Sequence, residues 1–229
     1  MIAIALGLAL AAVQAQPSPT PTPAAIDAEN LPRLQTAEQL LRDRQPQQAL
    51  EVATTAVASY EASFAGQKRR IYCGMSGPET ILYMGMASHD KTSAVAVSAG
   101  YRQAMYLKGY ALIDLGRVAE ARAEYQRVIA LAPMHAHFLS ELGQLSRLDK
   151  DWPRMLSTCE TAEQAAGLAL PQFKGAEQGF ALRCQGYALV EEHRLDDAEK
   201  KYRAALAINP NDAKSQGELK YIADQRNKH

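Results

Sequence analysis

One block of residues occurs twice in this 229-residue chain, and the two copies are 77 positions apart. The residues that return unchanged are Gly109, Tyr110, Ala111, Leu112, Arg117, Ala121, Tyr125, Ala130 and Pro133, which recur as Gly186, Tyr187, Ala188, Leu189, Arg194, Ala198, Tyr202, Ala207 and Pro210. A weaker copy lies between them, because Leu142 and Gly143 follow Lys108 and Gly109 by 34 positions. A period near 34 residues predicts tandem supersecondary units, each burying its apolar face against its neighbours.

The repeated motif has the form Gly-x2-Leu, then Ala-x3-Tyr and a closing proline, and it resembles the tetratricopeptide repeat, a unit of two antiparallel helices. The motif is complete in residues 102–133 and 179–210. The resemblance implies an all-α fold, an α-solenoid of helical hairpins that forms a right-handed superhelix. We expect Gly109 and Ala121 where the two helices of a hairpin approach most closely, and Pro133 where the second helix ends.

Other segments follow the repeat less completely. Residues 136–167 retain Leu142 and Gly143, and residues 33–62 place apolar residues at helical spacing. Pro78 would break the first helix of a complete unit, so we expect residues 78–98 to form a lone long helix that includes the Ala-Val-Ala-Val stretch at 94–97. Residues 213–226 are predicted to form a polar capping helix at the exposed end of the solenoid.

The N-terminal region predicts export. Residues 1–15 are apolar apart from Gln14, and Val13-Gln14-Ala15 resembles a signal-peptidase site, so we expect a signal peptide and a mature chain that begins at Gln16. Residues 16–30 are predicted to be a Pro/Thr-rich linker, and residues 31–229 a single solenoid domain. The expected location is periplasmic or secreted, with no transmembrane segment in the mature chain.

Composition and cysteine usage limit the possible chemistry. The chain has 25 basic and 25 acidic residues and no basic block, so nucleic acid is not an expected partner. An exported chain meets an oxidising environment, where Cys159 and Cys184 could form a disulfide between neighbouring helices. The alternative is that both are small buried hydrophobes.

Two candidate chemical sites lack the residues that they would need. Cys73 precedes a helix N-terminus and follows a basic run, which favours a thiolate, but the nearest candidate base, His89, is far along the same helix. The alternative is a tight structural loop with Cys73 packed beneath it. His135 and His137 do not share a helix face, so no metal site is predicted. We expect no catalytic residues and no cofactor.

The predicted functional surface is the concave groove of the solenoid. If Met105, Gly109 and Leu112 face the partner helix, their neighbours on the helical wheel turn toward the groove. The predicted partner-binding residues are Tyr106, Tyr110, Ile113, His137, Gln144, Arg147, Phe180, Arg183 and Tyr187. Aromatic residues beside arginines are typical of interface anchors. The alternative is that Tyr110 and Tyr187 pack within the seams between layers.

Three functional hypotheses follow. The first is a non-catalytic scaffold that binds a protein or peptide in the groove, within the bacterial cell envelope. The second is a thiol-dependent enzyme or redox sensor centred on Cys73. The third is a structural subunit that oligomerises through its lone helix or its exposed end.

The groove residues differ from those of one well-known class of tetratricopeptide repeats. Chaperone-binding repeats hold a terminal carboxylate with Lys and Asn, and those positions here carry Tyr106, Tyr110, Ser140 and Gln144. That particular binding activity is therefore not expected.

Overall fold

A computed structural model describes residues 23–227, which form ten α-helices and two short strands. The helices are α1 (Pro23–Arg42), α2 (Pro46–Ser63), α3 (Gly77–His89), α4 (Ala99–Asp114), α5 (Val118–Leu131), α6 (Ala136–Leu145), α7 (Trp152–Ala165), α8 (Pro171–Glu191), α9 (Leu195–Ile208) and α10 (Ala213–Arg226). The strands are β1 (Arg70–Tyr72) and β2 (Ala94–Ala96). The expected signal peptide, residues 1–15, lies outside the described residues.

Four antiparallel helical hairpins stack in chain order, and α10 caps the last of them. The hairpins pair α1 with α2, α4 with α5, α6 with α7 and α8 with α9. The first helix of a hairpin packs against the second helix of the preceding one, as α4 does on α2 and α8 does on α7. The predicted all-α solenoid of tetratricopeptide-like hairpins is therefore confirmed. Within residues 23–227 there is no helix whose length and apolar character would allow it to cross a bilayer.

Local sequence explains where several helices begin. Proline occupies the first turn of α2, α7 and α8, where its missing N–H costs no hydrogen bond. Side chains cap two helices: Ser76 Oγ accepts from the Glu79 amide at the start of α3, and Asp151 Oδ1 accepts from the Arg154 amide at the start of α7. Helix α1 begins at Pro23, inside the segment expected to be linker, so the extended tether does not continue to residue 30.

The region expected to be a lone long helix is instead a β-α-β insertion between α2 and α4. Helix α3 ends at His89, and Lys91 follows in a left-handed conformation with φ of 52°. The Ala-Val-Ala stretch then forms β2, which pairs in parallel with β1 in the register Arg70 to Ala94 and Tyr72 to Ala96. The expectation of helix through residue 98 was wrong, because the alternation of valine with small residues favours an extended chain that has a partner strand beside it.

The hydrophobic core runs along the stack. Its largest cluster joins α1, α2, the insertion and α4, and it extends to α5 and α6. Tyr72 and Tyr83 of the insertion are fully buried in that cluster, with ring centroids 5.4 Å apart. A separate cluster joins α8, α9 and α10 through Tyr202 and Ile222. The insertion is thus part of the core, and the capping helix covers apolar surface at the end of the stack.

Candidate functional site

The predicted groove residues lie on the first helices of three hairpins. Tyr106, Tyr110 and Ile113 are on α4, His137 and Gln144 are on α6, with Arg147 just after it, and Phe180, Arg183 and Tyr187 are on α8. Residues of α1 and α4 line one cavity, and residues of α6, α8 and α10 are among those that line another. We call the surface formed by these helices the inner wall.

Most of the predicted groove residues line one cavity, which we call the C-terminal pocket. It has a volume of about 300 Å³ and lies between α6, α8 and α10. It is lined by Gln144, Arg147, Phe180, Arg183, Tyr187, Tyr202, Lys214 and Glu218. Five of these residues are among those predicted from the sequence, and the repeat register is what brings them to one surface.

The cationic groups of the C-terminal pocket differ in whether they are paired with a carboxylate. The Arg183 guanidinium donates to Asp212 at 3.0 Å, and the charge is neutralised there. The Arg147 guanidinium carbon lies 4.0 Å from the centre of the Tyr187 ring, a cation–π geometry, and its Nη1 donates to Gln144 Oε1 at 3.3 Å. Within the described part of the chain, neither Arg147 nor Lys214 forms an ion pair.

The pKa values of the two carboxylates near the pocket, Glu218 and Asp212, are shifted in opposite directions. Burial raises the pKa of Glu218, and the charge of Arg147 opposes this only in part. Burial also acts to raise the pKa of Asp212, but hydrogen bonds from Ser215 and Arg183 outweigh it and lower the pKa. The pocket therefore presents an aromatic floor and two cations that are open to an anionic group.

A second cavity lies near the other end of the inner wall, between α1 and α4. Its volume is about 350 Å³, and Tyr106, Tyr110, Leu41 and Arg42 are among the residues that line it. The Tyr110 side chain is 37% exposed there, which is high for a large hydrophobic residue. The groove thus contains two cavities, each with a tyrosine that occupies the same position of the repeat.

His137 connects the two cavities through a chain of aromatic contacts. Its ring lies 5.3 Å from Tyr106 and 5.6 Å from Phe180, centroid to centroid, and Tyr106 Oη is 3.0 Å from His137 Nε2. Burial opposes protonation of His137, but the Glu177 carboxylate 3.4 Å from Nδ1, with the charge of Glu141, raises the pKa of the imidazole above its usual value. An aromatic ridge therefore extends along the inner wall from Tyr110 to Phe180.

Two predicted groove residues line neither cavity: His137, which contacts Tyr106 and Phe180, and Ile113. Ile113 is half-buried and packs against the cluster that contains Leu50 and Leu112, so it stabilises the contact between α2 and α4. Sequence reasoning also missed four residues near the C-terminal pocket, namely Tyr202, Asp212, Lys214 and Glu218. Lys214 and Glu218 are four residues apart on the capping helix, and this spacing could have indicated a shared face.

The cysteines have two different environments. Cys159 on α7 and Cys184 on α8 are joined by a disulfide, with Cα atoms 5.9 Å apart. Cys73 is a free thiol with no exposed surface, and burial raises its pKa to about 12, although Arg102 opposes the shift. A thiol that is buried and protonated at neutral pH is not a nucleophile.

The two histidines beside the groove have separate surroundings. His135 precedes α6 and stacks on Phe138 at 4.0 Å between ring centroids, whereas His137 faces Glu177. The residues from 23 to 227 contain no group of three or more His, Cys, Asp or Glu side chains that could hold a metal ion.

Comparison with known proteins identifies the fold. Residues 102–135 match the tetratricopeptide repeat family, and no curated protein sequence matches the chain. Among solved structures, MamA from Desulfovibrio magneticus RS-1 is 17% identical, with a TM-score of 0.57 over 90% of this chain and 89% of that one. A putative kinesin light chain from Podosopora anserina with nearly identical repeats is 13% identical, with a TM-score of 0.58 over 88% of each chain.

Proposed function

We propose that this protein is a non-catalytic scaffold that binds a segment of a protein or peptide in its concave groove. The observation that carries the proposal is the C-terminal pocket, where Arg147 stacks on Tyr187 and forms no ion pair within the described residues. Tyrosine and arginine are the residues that most often dominate binding energy at interfaces. Stacked helical hairpins provide a long concave surface on which such residues can act together.

The chemistry of the pocket favours an anionic segment that also carries an apolar or aromatic side chain. Arg147 and Lys214 can pair with a carboxylate, and Phe180 and Tyr187 offer ring faces beside it. A volume of about 300 Å³ is sufficient for side chains of a peptide. The aromatic ridge through His137 would let a longer segment continue toward Tyr110.

We propose that this activity takes place in the bacterial cell envelope. The apolar N-terminal residues 1–15 are the basis for expecting export, and the Cys159–Cys184 disulfide supports it, because structural disulfides persist in oxidising compartments. The thiol-dependent alternative is disfavoured by the burial of Cys73 and by its raised pKa.

Affinity capture from the periplasmic fraction of the native host tests the proposal. The wild-type chain is compared with the double variant Arg147→Ala/Tyr187→Ala, and Arg154→Ala serves as the matched control, because Arg154 is exposed on α7 outside the pocket. We expect the double variant to lose at least about tenfold of the captured partner, since each anchor residue typically contributes about 2 kcal/mol.

Salt provides a second arm of the same experiment. Partner capture by the wild-type chain should weaken as ionic strength rises, because exposed charge pairs are screened. Capture that is equal for the wild-type chain and the double variant would exclude the C-terminal pocket as the binding site.

A further inference from the structure

Within the described residues, the outer edge of β2 in the β-α-β insertion has no partner strand. The Arg70 amide donates to the Ser93 carbonyl and the Val97 amide donates to the Tyr72 carbonyl, both at 2.8 Å. The backbone groups of residues 93, 95 and 97 therefore point toward β1, and those of Ala94 and Ala96 point to the opposite side of β2. In the described part of the chain, the amides and carbonyls of Ala94 and Ala96 have no hydrogen-bond partner on that side.

This edge also carries neither a charged residue nor a proline, which would hinder pairing with another strand. Residues 92–98 read Thr-Ser-Ala-Val-Ala-Val-Ser, with no charge and no proline. Natural edge strands are generally protected by charged residues, prolines or a covering element. A parallel sheet of only two strands is also unusual, because small sheets need further strands or burial on both faces to be stable.

We propose that β2 pairs antiparallel with β2 of a second copy of this chain, about a two-fold axis at Ala96. In this register Ala96 faces its own equivalent, and Val95 faces Val97 of the other copy, so each outward amide finds a carbonyl. The product is a continuous four-stranded sheet in the order β1, β2, β2, β1. Such an interface is isologous and closed, and it is independent of the groove.

The charges around β2 fit an antiparallel arrangement of two copies. The strand begins near exposed Arg70 and Lys91, which form no ion pair within the described residues. It ends near Asp27, whose carboxylate accepts hydrogen bonds from Ser98 Oγ at 2.7 Å and from Tyr60 Oη at 2.8 Å. Antiparallel pairing places the basic end of one strand beside the acidic end of the other, whereas parallel pairing would bring like charges together.

The insertion helix supplies a second contact in the same dimer. Helix α3 packs against both strands, and a two-fold axis normal to the sheet would place both copies of α3 on the same face. Their axes would then be two strand spacings apart, about 10 Å, which is the distance at which helices pack. The outer side of α3 carries Ile81, 75% exposed, and Met84, 37% exposed. We assign these side chains to the contact between the two copies of α3.

Light scattering on the full chain across a dilution series tests the proposal. The wild-type chain should have twice the mass of one 25.0 kDa chain. Ala96→Lys should give a monomer, because it places two ammonium groups across the axis, and Ile81→Glu should weaken the dimer. Ala207→Lys on exposed α9 is the matched control and should remain dimeric. Circular dichroism and thermal unfolding establish that each variant is folded.

A cross-link tests the register itself. Opposed residues of a hydrogen-bonded antiparallel pair have Cα atoms about 5.5 Å apart, within the range that a disulfide spans. Ala96→Cys should therefore form an intermolecular disulfide under mild oxidation, and Ala207→Cys should not. A wild-type chain that is monomeric at every concentration would overturn the proposal. So would a dimer that survives Ala96→Lys but dissociates when Arg147 and Tyr187 are replaced, which would assign self-association to the groove.

Discussion

At the scale of single residues, three of the four hairpins place a glycine of the first helix directly against the second helix. A Cβ added to Gly109 would lie 3.3 Å from the Tyr125 ring, and one added to Gly186 would lie 2.8 Å from Tyr202 Cζ. In the third hairpin, Gly143 faces Cys159, which is 34 positions after Tyr125 just as Gly143 is 34 after Gly109. The disulfide therefore occupies the space that a tyrosine ring fills in the neighbouring hairpins.

Gly186→Ala tests this packing. Alanine normally stabilises a helix relative to glycine by about 1 kcal/mol, but here the added methyl group would collide with a buried ring. We expect Gly186→Ala to lower the free energy of unfolding by about 1–3 kcal/mol. Gly217→Ala on α10 is the control, because nothing lies within 4 Å of its added Cβ, and it should be stabilising. Urea unfolding measures both, and a stabilised Gly186→Ala would show that the ring can move aside.

His135, which precedes α6, and His137, which lies within it, predict that stability passes through a maximum as pH varies. Burial lowers the pKa of His135 to about 2. Below about pH 6.5 the unfolded chain therefore takes up a proton that the folded chain does not, and stability decreases as the pH is lowered. His137 has a raised pKa, because Glu177 and Glu141 outweigh the effect of burial. Its contribution is therefore complete below about pH 6.5 and is lost as pH rises through its folded-state pKa.

Urea unfolding between about pH 5 and pH 8 measures these contributions. We expect His135→Phe to flatten the acid side of the profile and His137→Gln to flatten the alkaline side. If both variants keep the wild-type profile, the pH dependence arises from other groups.

At the scale of elements, each hairpin turns through a residue with positive φ. These residues are Arg44, Gly116, Lys150 and His193, with φ between 55° and 72°. Glycine adopts positive φ without a steric penalty, but only one of the four links uses glycine. The other three place Arg44, Lys150 or His193 in this less favourable conformation. The packing of the two helices therefore determines the backbone conformation of the link. A glycine in the sequence is not a reliable marker of where the hairpin turns.

The disulfide joins two hairpins and should contribute to stability by linking α7 to α8. Reduction of the Cys159–Cys184 bond should lower the free energy of unfolding by about 2–4 kcal/mol. Urea unfolding with and without reductant measures this difference. The Cys159→Ala/Cys184→Ala variant retains free Cys73 and should not respond to reductant. A response in that variant would mean that the reductant acts elsewhere.

The sequence predicted the elements that repeat and failed on those that depend on distant contacts. The all-α solenoid followed from residues recurring at 34 and 77 positions, because each recurrence marks the same helix contact. The strands at 70–72 and 94–96 have three residues each. They form because they pair with each other, although α3 separates them in the sequence. So short a segment has too little periodicity to be distinguished from the end of a helix.

At the scale of the whole molecule, the repeat register determined most of the candidate site. Counting around the helical wheel placed Phe180, Arg183 and Tyr187 beside Gln144 and Arg147, although they belong to different hairpins. The contribution of α10 was missed, because a capping helix is expected to be polar and its inner face has no counterpart in the repeat. The inner wall therefore combines repeated positions with residues that only this chain supplies.

Site-specific photocrosslinking in cells of the native host tests most directly whether the inner wall binds a partner. A photoreactive side chain is placed at Phe180 or Tyr110 on the inner wall, or at Arg203 on exposed α9. The account predicts adducts with another protein from the inner-wall positions and none from Arg203. Adducts from Arg203 alone would contradict it.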